Sequence, residues 1–367
     1  MSTSTNPLTD KEQAERDALL GRLYASTIGA LELLHVYLGE RLGLYRALAA
    51  GPLSAPQLAS KAGINQRYAR EWLEQEAVAG ILVVAPGDAG EEKRRFSLPR
   101  GHAEVLTDED STNFFAPAAR GVVAVGSVMP ALVEAFQTGG GVPYEAYGPE
   151  MRSSISSLNR PGFLNLLGST WFPAIKDVDR RLRAQPPARV ADVGCGTGWS
   201  SIAIAIAYPL VRVDGFDLDE ASIEDARRNA RTSGVAERVT FEVRDAADPS
   251  LAESYDLVTA FETIHDMTNP VGALKAMRAL RKGDGAVVIA DEKVAEEFTA
   301  PGDEVERFMY GWSAVHCLAV GMVGPEPAGT GTVMRPSRLR EYARKAGFAK
   351  VEILPVENDL WRFYRLL

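Results

Sequence analysis

Apolar residues recur at helical spacing between residues 12 and 50 and predict a long helix there. The stripe falls on every third or fourth position, at Leu20, Leu23, Tyr24, Thr27, Leu31, Leu34, Leu38, Leu42 and Tyr45. It is unusually apolar for the surface of a helix. We therefore expect this face to pack on another helix or on a second subunit.

The next segment, residues 52–100, has the pattern of a winged helix-turn-helix. The first predicted helix is capped by Ser54 and ended by Gly63, and the second is capped by Asn65. Short apolar runs then predict two wing strands, over 80–84 and 96–98, joined by a turn over 86–94.

Residues 111–185 are mainly helical and rich in aromatic side chains, and Gln185-Pro186-Pro187 marks a boundary after them. We divide the chain accordingly. The predicted parts are a helical and winged-helix domain over 1–110, a helical connecting and substrate region over 111–185, and a domain of alternating strands and helices over 186–367 with an insertion at about 298–335.

Strands and helices alternate in the last part. The strand candidates are Arg189–Val193, Arg212–Asp217, Val239–Val243, Leu257–Ala260, Ala286–Ala290, Val351–Pro355 and Trp361–Leu366. A helix capped by Asn269, with Pro270 in its first turn, is predicted to stop near Gly283. Five alternating strands imply a parallel, doubly wound sheet, and the last two, with no helix between them, imply an antiparallel hairpin.

The fold class is therefore α/β. We expect a Rossmann-like, seven-stranded, mostly parallel sheet with an antiparallel last strand, preceded by a mainly α winged-helix domain.

Composition narrows the classes of partner. The net charge of -9 disfavours a general affinity for nucleic acid or for anionic membranes. Two cysteines without a CxxC pair, and four histidines far apart in sequence, indicate neither a disulfide framework nor a metal site. Residues 1–10 lack the apolar core of a signal peptide, and the apolar stretch Ile202–Val213 is too short to cross a bilayer. We expect a cytoplasmic protein without bound metal.

A glycine turn carries the candidate chemistry. Asp192-Val193-Gly194-Cys195-Gly196-Thr197-Gly198 follows a strand and opens a helix. Glycines let the backbone turn sharply and approach a ligand, and the start of a helix offers free N–H donors. Trp199 stands where a dinucleotide fingerprint would place glycine or alanine, so the spacing disfavours nicotinamide dinucleotides.

A carboxylate ends the second strand of this domain. Asp217 lies about 20 residues after the glycines, where a carboxylate accepts hydrogen bonds from both ribose hydroxyls. Asp219 is better suited to cap the helix that follows.

The GxGxG spacing of Gly194, Gly196 and Gly198 resembles motif I of the class I S-adenosylmethionine-dependent methyltransferases. A winged helix in front of such a domain resembles the small-molecule O-methyltransferases, in which the N-terminal part dimerises. The chain is more closely similar to the actinobacterial Rv2258c-like methyltransferases, over the segments 139–147, 261–270, 309–322, 329–336 and 357–365.

This resemblance implies S-adenosylmethionine as cofactor, S-adenosylhomocysteine as product and a homodimer. The family places an acid that meets the adenine amino group at the end of the third strand, which here is Asp245 followed by Ala246. The implied cofactor-binding residues are Asp192, Gly194, Gly196, Gly198, Asp217, Asp245, Ala246 and Phe261.

Three residues are candidates for the chemical step. O-methyltransferases often carry a His-Asp-Trp segment whose histidine is the general base, and His265 corresponds to it, although Met267 replaces the tryptophan. A neutral imidazole removes a proton near pH 7. Glu262 either orients this imidazole, binds substrate or is a solvated acid. His316, within an insertion, is a second acid or base, a substrate ligand or a core residue.

Aromatic residues are the candidates for the substrate pocket. Tyr24 reaches a pocket if the N-terminal helix caps the active site, with core packing as its alternative. Tyr144, Trp171 and Trp312 either line a pocket for a flat substrate or belong to the helical core. Asp291 and Glu292 end the fifth strand near the same crevice, with helix capping as the alternative.

The favoured function is methyl transfer to oxygen or nitrogen of a small, aromatic metabolite. Carbon methylation of an aromatic such as an indole is the alternative within the enzyme class. A DNA-binding regulator is the alternative outside it, disfavoured because the recognition helix 65–79 carries Arg67 and Arg70 against three glutamates. The two remaining alternative functions are a nicotinamide-dependent oxidoreductase and a non-catalytic scaffold protein.

Overall fold

A computed structural model describes residues 7–86, 90, 93–245 and 254–367 of the chain. The chain divides into two compact units, Met1–Val123 and Ala124–Leu367. The finer division into 1–110, 111–185 and 186–367 stays a prediction of the sequence.

The first unit begins with two helices rather than the one predicted over 12–50. Helix α1 covers Asp10–Arg41 and α2 covers Leu44–Ala49. The break falls where Gly43 N–H bonds the carbonyl of Glu40 in a tight turn. The apolar side chains of α1 are largely exposed, with Leu20, Leu23 and Tyr24 at 65%, 56% and 70% of their surface.

The rest of the first unit is a winged helix. Its elements are β1 (Leu53–Ser54), α3 (Ala55–Ala62), α4 (Gln66–Val78), β2 (Val83–Val84), β3 (Arg95–Ser97) and α5 (Arg100–Thr107), with the strands in the antiparallel order β1-β3-β2. Ser54 and Asn65 cap α3 and α4 as predicted. The first wing strand is shorter than 80–84, because Ile81 and Leu82 donate their N–H groups to Glu76 O at the end of α4.

Helix α6 covers Ala118–Thr138, and it is the one helix among the described residues long and apolar enough to cross a membrane. This test uses length and composition alone. Only 28% of its most apolar window is buried, and Met129, Val133 and Phe136 are exposed. Helical structure is predicted here within residues 111–185, but not a candidate membrane span, because Gly121, Ser127 and Pro130 interrupt the apolar run.

Helices form the remainder of the segment before the sheet. A 3₁₀ turn over Tyr144–Tyr147 leads into α7 (Gly148–Gly162), a π-helical stretch over Phe163–Trp171, α8 (Phe172–Ala174) and α9 (Lys176–Arg183). The π-helical stretch packs on α10 (Trp199–Ala207), the helix that follows the glycine turn.

The sheet of the second unit has seven strands in the order β6-β5-β4-β7-β8-β10-β9. They are β4 (Arg189–Val193), β5 (Arg212–Asp217), β6 (Val239–Val243), β7 (Tyr255–Phe261), β8 (Arg281–Glu292), β9 (Val351–Ile353) and β10 (Trp361–Leu366). β4 to β8 pair in parallel, and β10 lies antiparallel between β8 and β9. The predicted fold class is confirmed.

The remaining helices are α11 (Glu220–Thr232), α12 (Pro270–Leu280), α13 (Glu304–Trp312), a π-helical turn over Ser313–Cys317, α14 (Leu318–Gly321) and α15 (Pro336–Lys345). The prediction that α12 runs to about Gly283 was wrong by one turn. It ends at Leu280, and β8 begins at once because Arg281 pairs with Tyr255 of β7.

The strand order locates the crevice in which a ligand binds. From β4 the chain moves outward to β5 and β6, and it then returns to the other side of β4 for β7 and β8. Open α/β sheets bind ligands at such a switch point, outside the carboxyl ends of the two central strands. Here these ends are the glycine turn after β4 and the segment after Phe261 of β7.

Candidate active site

One cavity of about 700 Å³ lies at this switch point. Its wall includes the glycine turn, the ends of β5, β6 and β7, the turn at Tyr144 and one side of α7. Five of the residues predicted to bind the cofactor line this cavity, namely Gly194, Gly196, Asp217, Asp245 and Phe261. The tertiary structure therefore brings the predicted strand ends to one site.

Two of the glycines are required for different reasons. Gly196 lines the cavity with φ +51°, and a methyl group placed on it meets no atom within 4 Å. Gly198 starts α10 with φ +83°, and a Cβ there lies 2.5 Å from the ring of Phe241. Gly198 therefore shapes the turn from behind, whereas Gly196 offers bare backbone to the cavity.

Asp192 supports the turn from the buried side. Its carboxylate accepts hydrogen bonds from the hydroxyls of Ser200 (2.5 Å), Ser201 (2.7 Å) and Thr259 (2.9 Å). It is not among the described residues that line the cavity. Its predicted part in cofactor binding is thus limited to holding β7 and α10 against the glycine turn.

Asp217 lies where a ribose-binding carboxylate is expected. Its two oxygens accept the backbone N–H groups of Gly196 (2.8 Å) and Asp219 (2.9 Å), and it lines the cavity. Burial raises the pKa of Asp217, and the backbone hydrogen bonds oppose that rise. Asp219 caps α11 through Ser222 N–H, as predicted. Asp245 also lines the cavity, while Ala246 lies outside the described residues.

His265 is buried beside the cavity and not on its wall. Its Nδ1 lies 2.8 Å from Oδ1 of Asp291, and Cys317 is a close neighbour of the ring. Burial alone would lower the pKa of His265, but the Asp291 carboxylate and Cys317 outweigh it and raise that pKa. Its neighbours Asp266 and Met267 do line the cavity, and burial raises the pKa of Asp266 to about 7.

His316 continues this buried cluster. Its Nδ1 lies 3.4 Å from the sulfur of Cys317, and its ring packs edge-on against Tyr147 and Tyr144 at 4.7 and 5.9 Å between centroids. Its Nε2 is buried without a hydrogen-bond partner in the part of the chain that the structure describes. Cys317, which no sequence pattern singles out, therefore bonds His316 and lies close to His265.

Glu262 lines the cavity but does not orient His265. Its Oε1 accepts the indole N–H of Trp361 at 2.6 Å, and its Oε2 accepts the amide of Asn159. The residue that orients the imidazole is Asp291. The sequence predicted Asp291 either near the crevice or as a helix cap, and the contact with His265 fits the first alternative.

The predicted aromatic residues lie in different surroundings. Tyr144 lines the cavity. Trp171 lies in the hydrophobic core, 5.3 Å from both Trp361 and Phe363, so the alternative of core packing describes it. Trp312 packs against Phe308 and is not among the described lining residues. Tyr24 lies on an exposed face of the first unit.

Residues of α7 were missed by the sequence analysis. Ser156 accepts hydrogen bonds from Thr197 (2.7 Å) and from the indole of Trp199 (3.0 Å), and both Ser156 and Asn159 line the cavity. No local pattern singles them out, because they meet the glycine turn only once α7 lies against α10. The described residues contain no group of three or more His, Cys, Asp or Glu arranged to hold a metal ion.

Helix α4, the recognition helix of the winged-helix pattern, presents little unpaired positive charge. Arg67 pairs with Glu71 on the same helix, and Glu74 pairs with Arg94 of the wing. Glu76 is buried and accepts the hydroxyl of Tyr45 at 2.6 Å. These pairs leave less positive charge on the helix for a phosphate backbone.

Comparison with known proteins agrees with this geometry. Residues 185–336 match a methyltransferase domain model, and residues 29–108 match the Rv2258c-like winged HTH domain. The ubiquinone biosynthesis O-methyltransferase of Marinobacter nauticus is 32% identical over 190 residues, which cover 48% of this chain and 71% of that protein. The 27-O-demethylrifamycin SV methyltransferase of Amycolatopsis mediterranei is 36% identical over 105 residues, but these cover only 28% of this chain and 38% of that enzyme.

Solved structures share the fold over almost the whole chain. The mitomycin 7-O-methyltransferase MmcR has a TM-score of 0.70 at 18% identity and covers 96% of this chain and 99% of its own. Human N-acetylserotonin methyltransferase in complex with S-adenosylmethionine has a TM-score of 0.68 at 16% identity and covers 100% and 99%. The chain belongs to the S-adenosylmethionine-dependent methyltransferases, with an Rv2258c-like winged helix-turn-helix domain ahead of the methyltransferase domain.

Proposed function

We propose that this enzyme methylates an oxygen or nitrogen atom of a small, aromatic metabolite. The observation that carries the proposal is the His265–Asp291 pair directly beside the cavity, at 2.8 Å between Nδ1 and Oδ1. The relatives and structures compared above that name a methylated atom name oxygen. The aromatic nature of the acceptor belongs to the proposal alone.

Cofactor binding follows from the cavity wall. The bare backbone at Gly196 leaves room for close approach, and Asp217 beside it holds a carboxylate suited to ribose hydroxyls. Gly194, Asp245 and Phe261 also line the cavity. Gly198 and Asp192 support the glycine turn from its buried side, through packing on Phe241 and a hydrogen bond from Ser200. When bound, S-adenosylmethionine supplies a methyl group on a positively charged sulfur.

In this proposal His265 takes the acceptor proton. Asp291 holds Nδ1 as the N–H donor, so Nε2 is the atom that receives a proton. Cys317 is another ionisable neighbour of this ring. His316, bonded to the thiol of Cys317, remains the alternative base, and Tyr144 supplies an aromatic wall for the acceptor.

A second candidate is carbon methylation of an electron-rich aromatic such as an indole. The burial of His265 beside the cavity, rather than on its described wall, favours it, because carbon methylation does not depend on a histidine base. Product mass spectrometry with isotopically labelled S-adenosylmethionine and a panel of phenols, aryl amines and indoles separates the two. A label on oxygen or nitrogen supports the first proposal, whereas a label on carbon replaces it with the second.

Asp217→Asn is expected to weaken S-adenosylmethionine binding by about tenfold or more. The substitution removes a charge-assisted acceptor while keeping the side-chain shape. Isothermal titration calorimetry measures the loss, and Asp214→Asn is the matched control because Asp214 lies on the same strand, bonds Arg189 and is not among the described residues that line the cavity. Equal dissociation constants for Asp217→Asn and the unchanged protein would remove Asp217 from the cofactor site.

We also propose a homodimer formed through the N-terminal domain. The exposed apolar stripe of α1 is larger than a solitary soluble helix tolerates. Light scattering after size exclusion is expected to give about twice the chain mass of 39.7 kDa, and Leu23→Glu with Leu31→Glu is expected to give monomer. Arg22→Glu, on the opposite side of the helix, is the control and should remain dimeric. A monomeric unchanged protein contradicts the proposal.

The absence of a metal, a cytoplasmic location, and the absence of nucleic-acid and membrane partners stay predictions of the sequence. Turnover that survives a chelating agent is the outcome expected for the first of them.

A further inference from the structure

Glu262 has an unusual backbone at the cavity wall. It directly follows β7 with φ +50°, a left-handed conformation that is strained for any residue with a side chain. Its N–H nevertheless donates to Ala290 O at 2.8 Å, so the main chain stays attached to β8. A strained residue held in place by the sheet, on the wall of a ligand cavity, points to a function for its side chain.

The carboxyl group of Glu262 is surrounded by neutral donors. Trp361 Nε1 donates to Oε1 at 2.6 Å, the Asn159 amide donates to Oε2, and the carboxyl group of Glu292 lies close by. Burial raises the pKa of Glu262 and, well above its usual range, that of Glu292. His265 acts on Glu262 from further away and already pairs with Asp291.

No lysine or arginine is among the hydrogen-bond partners that the described residues provide to Glu262. An ionised carboxylate removed from water without a counter-charge is costly, so such a site favours a positively charged ligand. A carboxylate has about four lone-pair positions. Two are used by the indole and amide donors, which leaves positions for a ligand in the cavity.

We propose that Glu262 binds the α-ammonium group of the methionine part of S-adenosylmethionine. Asp217 follows β5, the glycine turn follows β4, and Glu262 follows β7 on the far side of β4. A cofactor whose ribose lies at Asp217 and which crosses the glycine turn brings its amino-acid end to the wall formed by Asn159, Phe163 and Glu262. The inference rests on the proposed cofactor site.

Three probes identify the group that Glu262 contacts. S-adenosylmethionine carries both the ammonium and the sulfonium, S-adenosylhomocysteine lacks the sulfonium charge, and methylthioadenosine lacks the whole amino-acid part. Glu262→Gln keeps the size of the side chain and an oxygen for the Trp361 indole. It is expected to weaken the first two ligands equally, by about tenfold or more, and to leave methylthioadenosine within about twofold.

Glu292→Gln is the matched control. Glu292 is buried and is not among the described residues that line the cavity, so all three dissociation constants, measured by isothermal titration calorimetry, should stay within about threefold of the unchanged protein. Near-ultraviolet circular dichroism checks that both variants are folded.

Three outcomes for Glu262→Gln would overturn the inference. Unchanged affinity for all ligands means that the carboxylate makes no contact. An equal loss for all three, methylthioadenosine included, means that it only shapes the wall. A loss confined to S-adenosylmethionine places it at the sulfonium. Failure of the unchanged protein to bind S-adenosylmethionine would instead remove the proposed cofactor site itself.

Discussion

Replacing His265 by alanine is expected to reduce the rate of oxygen or nitrogen methylation by about 10²- to 10⁴-fold, the usual contribution of a general base. The affinity for S-adenosylmethionine should change little, because His265 is not among the described residues that line the cavity. Steady-state kinetics measure the first quantity and calorimetry the second.

The pH dependence tests the same role more sharply. If neutral His265 is the base, kcat/KM rises as pH increases through its pKa, which the Asp291 carboxylate raises despite burial. Asp291→Asn removes the charge that stabilises the imidazolium. The rising limb should therefore move to lower pH, while the maximum rate falls because the ring is held less well.

His316→Ala and Cys317→Ser are the controls for this prediction. Both change the buried cluster, but neither removes the Nδ1–Asp291 contact. Unchanged turnover in His265→Ala together with a large loss in His316→Ala would transfer the base to His316. Retained turnover in both variants would favour carbon methylation without a histidine base.

Gly198→Ala is expected to destabilise the methyltransferase domain by roughly 2–4 kcal/mol. The substitution adds strain at positive φ and forces a methyl group against Phe241, where the Cβ would lie 2.5 Å from the ring and 2.9 Å from Ala226. A thermal denaturation midpoint lower by roughly 5–15 °C is the measurable consequence.

Gly196→Ala is the matched comparison within the same turn. Its φ of +51° predicts strain of about 1 kcal/mol, but its added methyl group meets no protein atom within 4 Å. We expect a small change in the denaturation midpoint together with a clear loss of S-adenosylmethionine affinity, since the methyl group projects into the cavity. Equal stability losses in the two variants would contradict the assignment of Gly198 to packing and Gly196 to the ligand.

Local sequence patterns predicted several of the strands and helix caps around the site correctly. β4, β5, β6 and β10 have the bounds predicted from alternating apolar runs, and Asn65, Asp219 and Asn269 cap their helices. These features depend on neighbours within a few residues, so the sequence contains the needed information. Several other predicted bounds were wrong, among them those of the first helix, the first wing strand, the end of α12 and the start of β8. The last two depend on the pairing of Arg281 with Tyr255, a partner distant in sequence.

The sequence by itself determined the nucleotide-binding turn, the carboxylates at successive strand ends and the α/β class, because strand and turn signals repeat in a fixed order along the chain. Only the tertiary structure decided that Asp291 orients His265, that Cys317 bonds His316 and lies close to His265, and that Glu262 meets Asn159 and Trp361. It also placed Trp171 in the core. These contacts join residues up to about a hundred positions apart, and side-chain directions at such distances follow from how the elements pack.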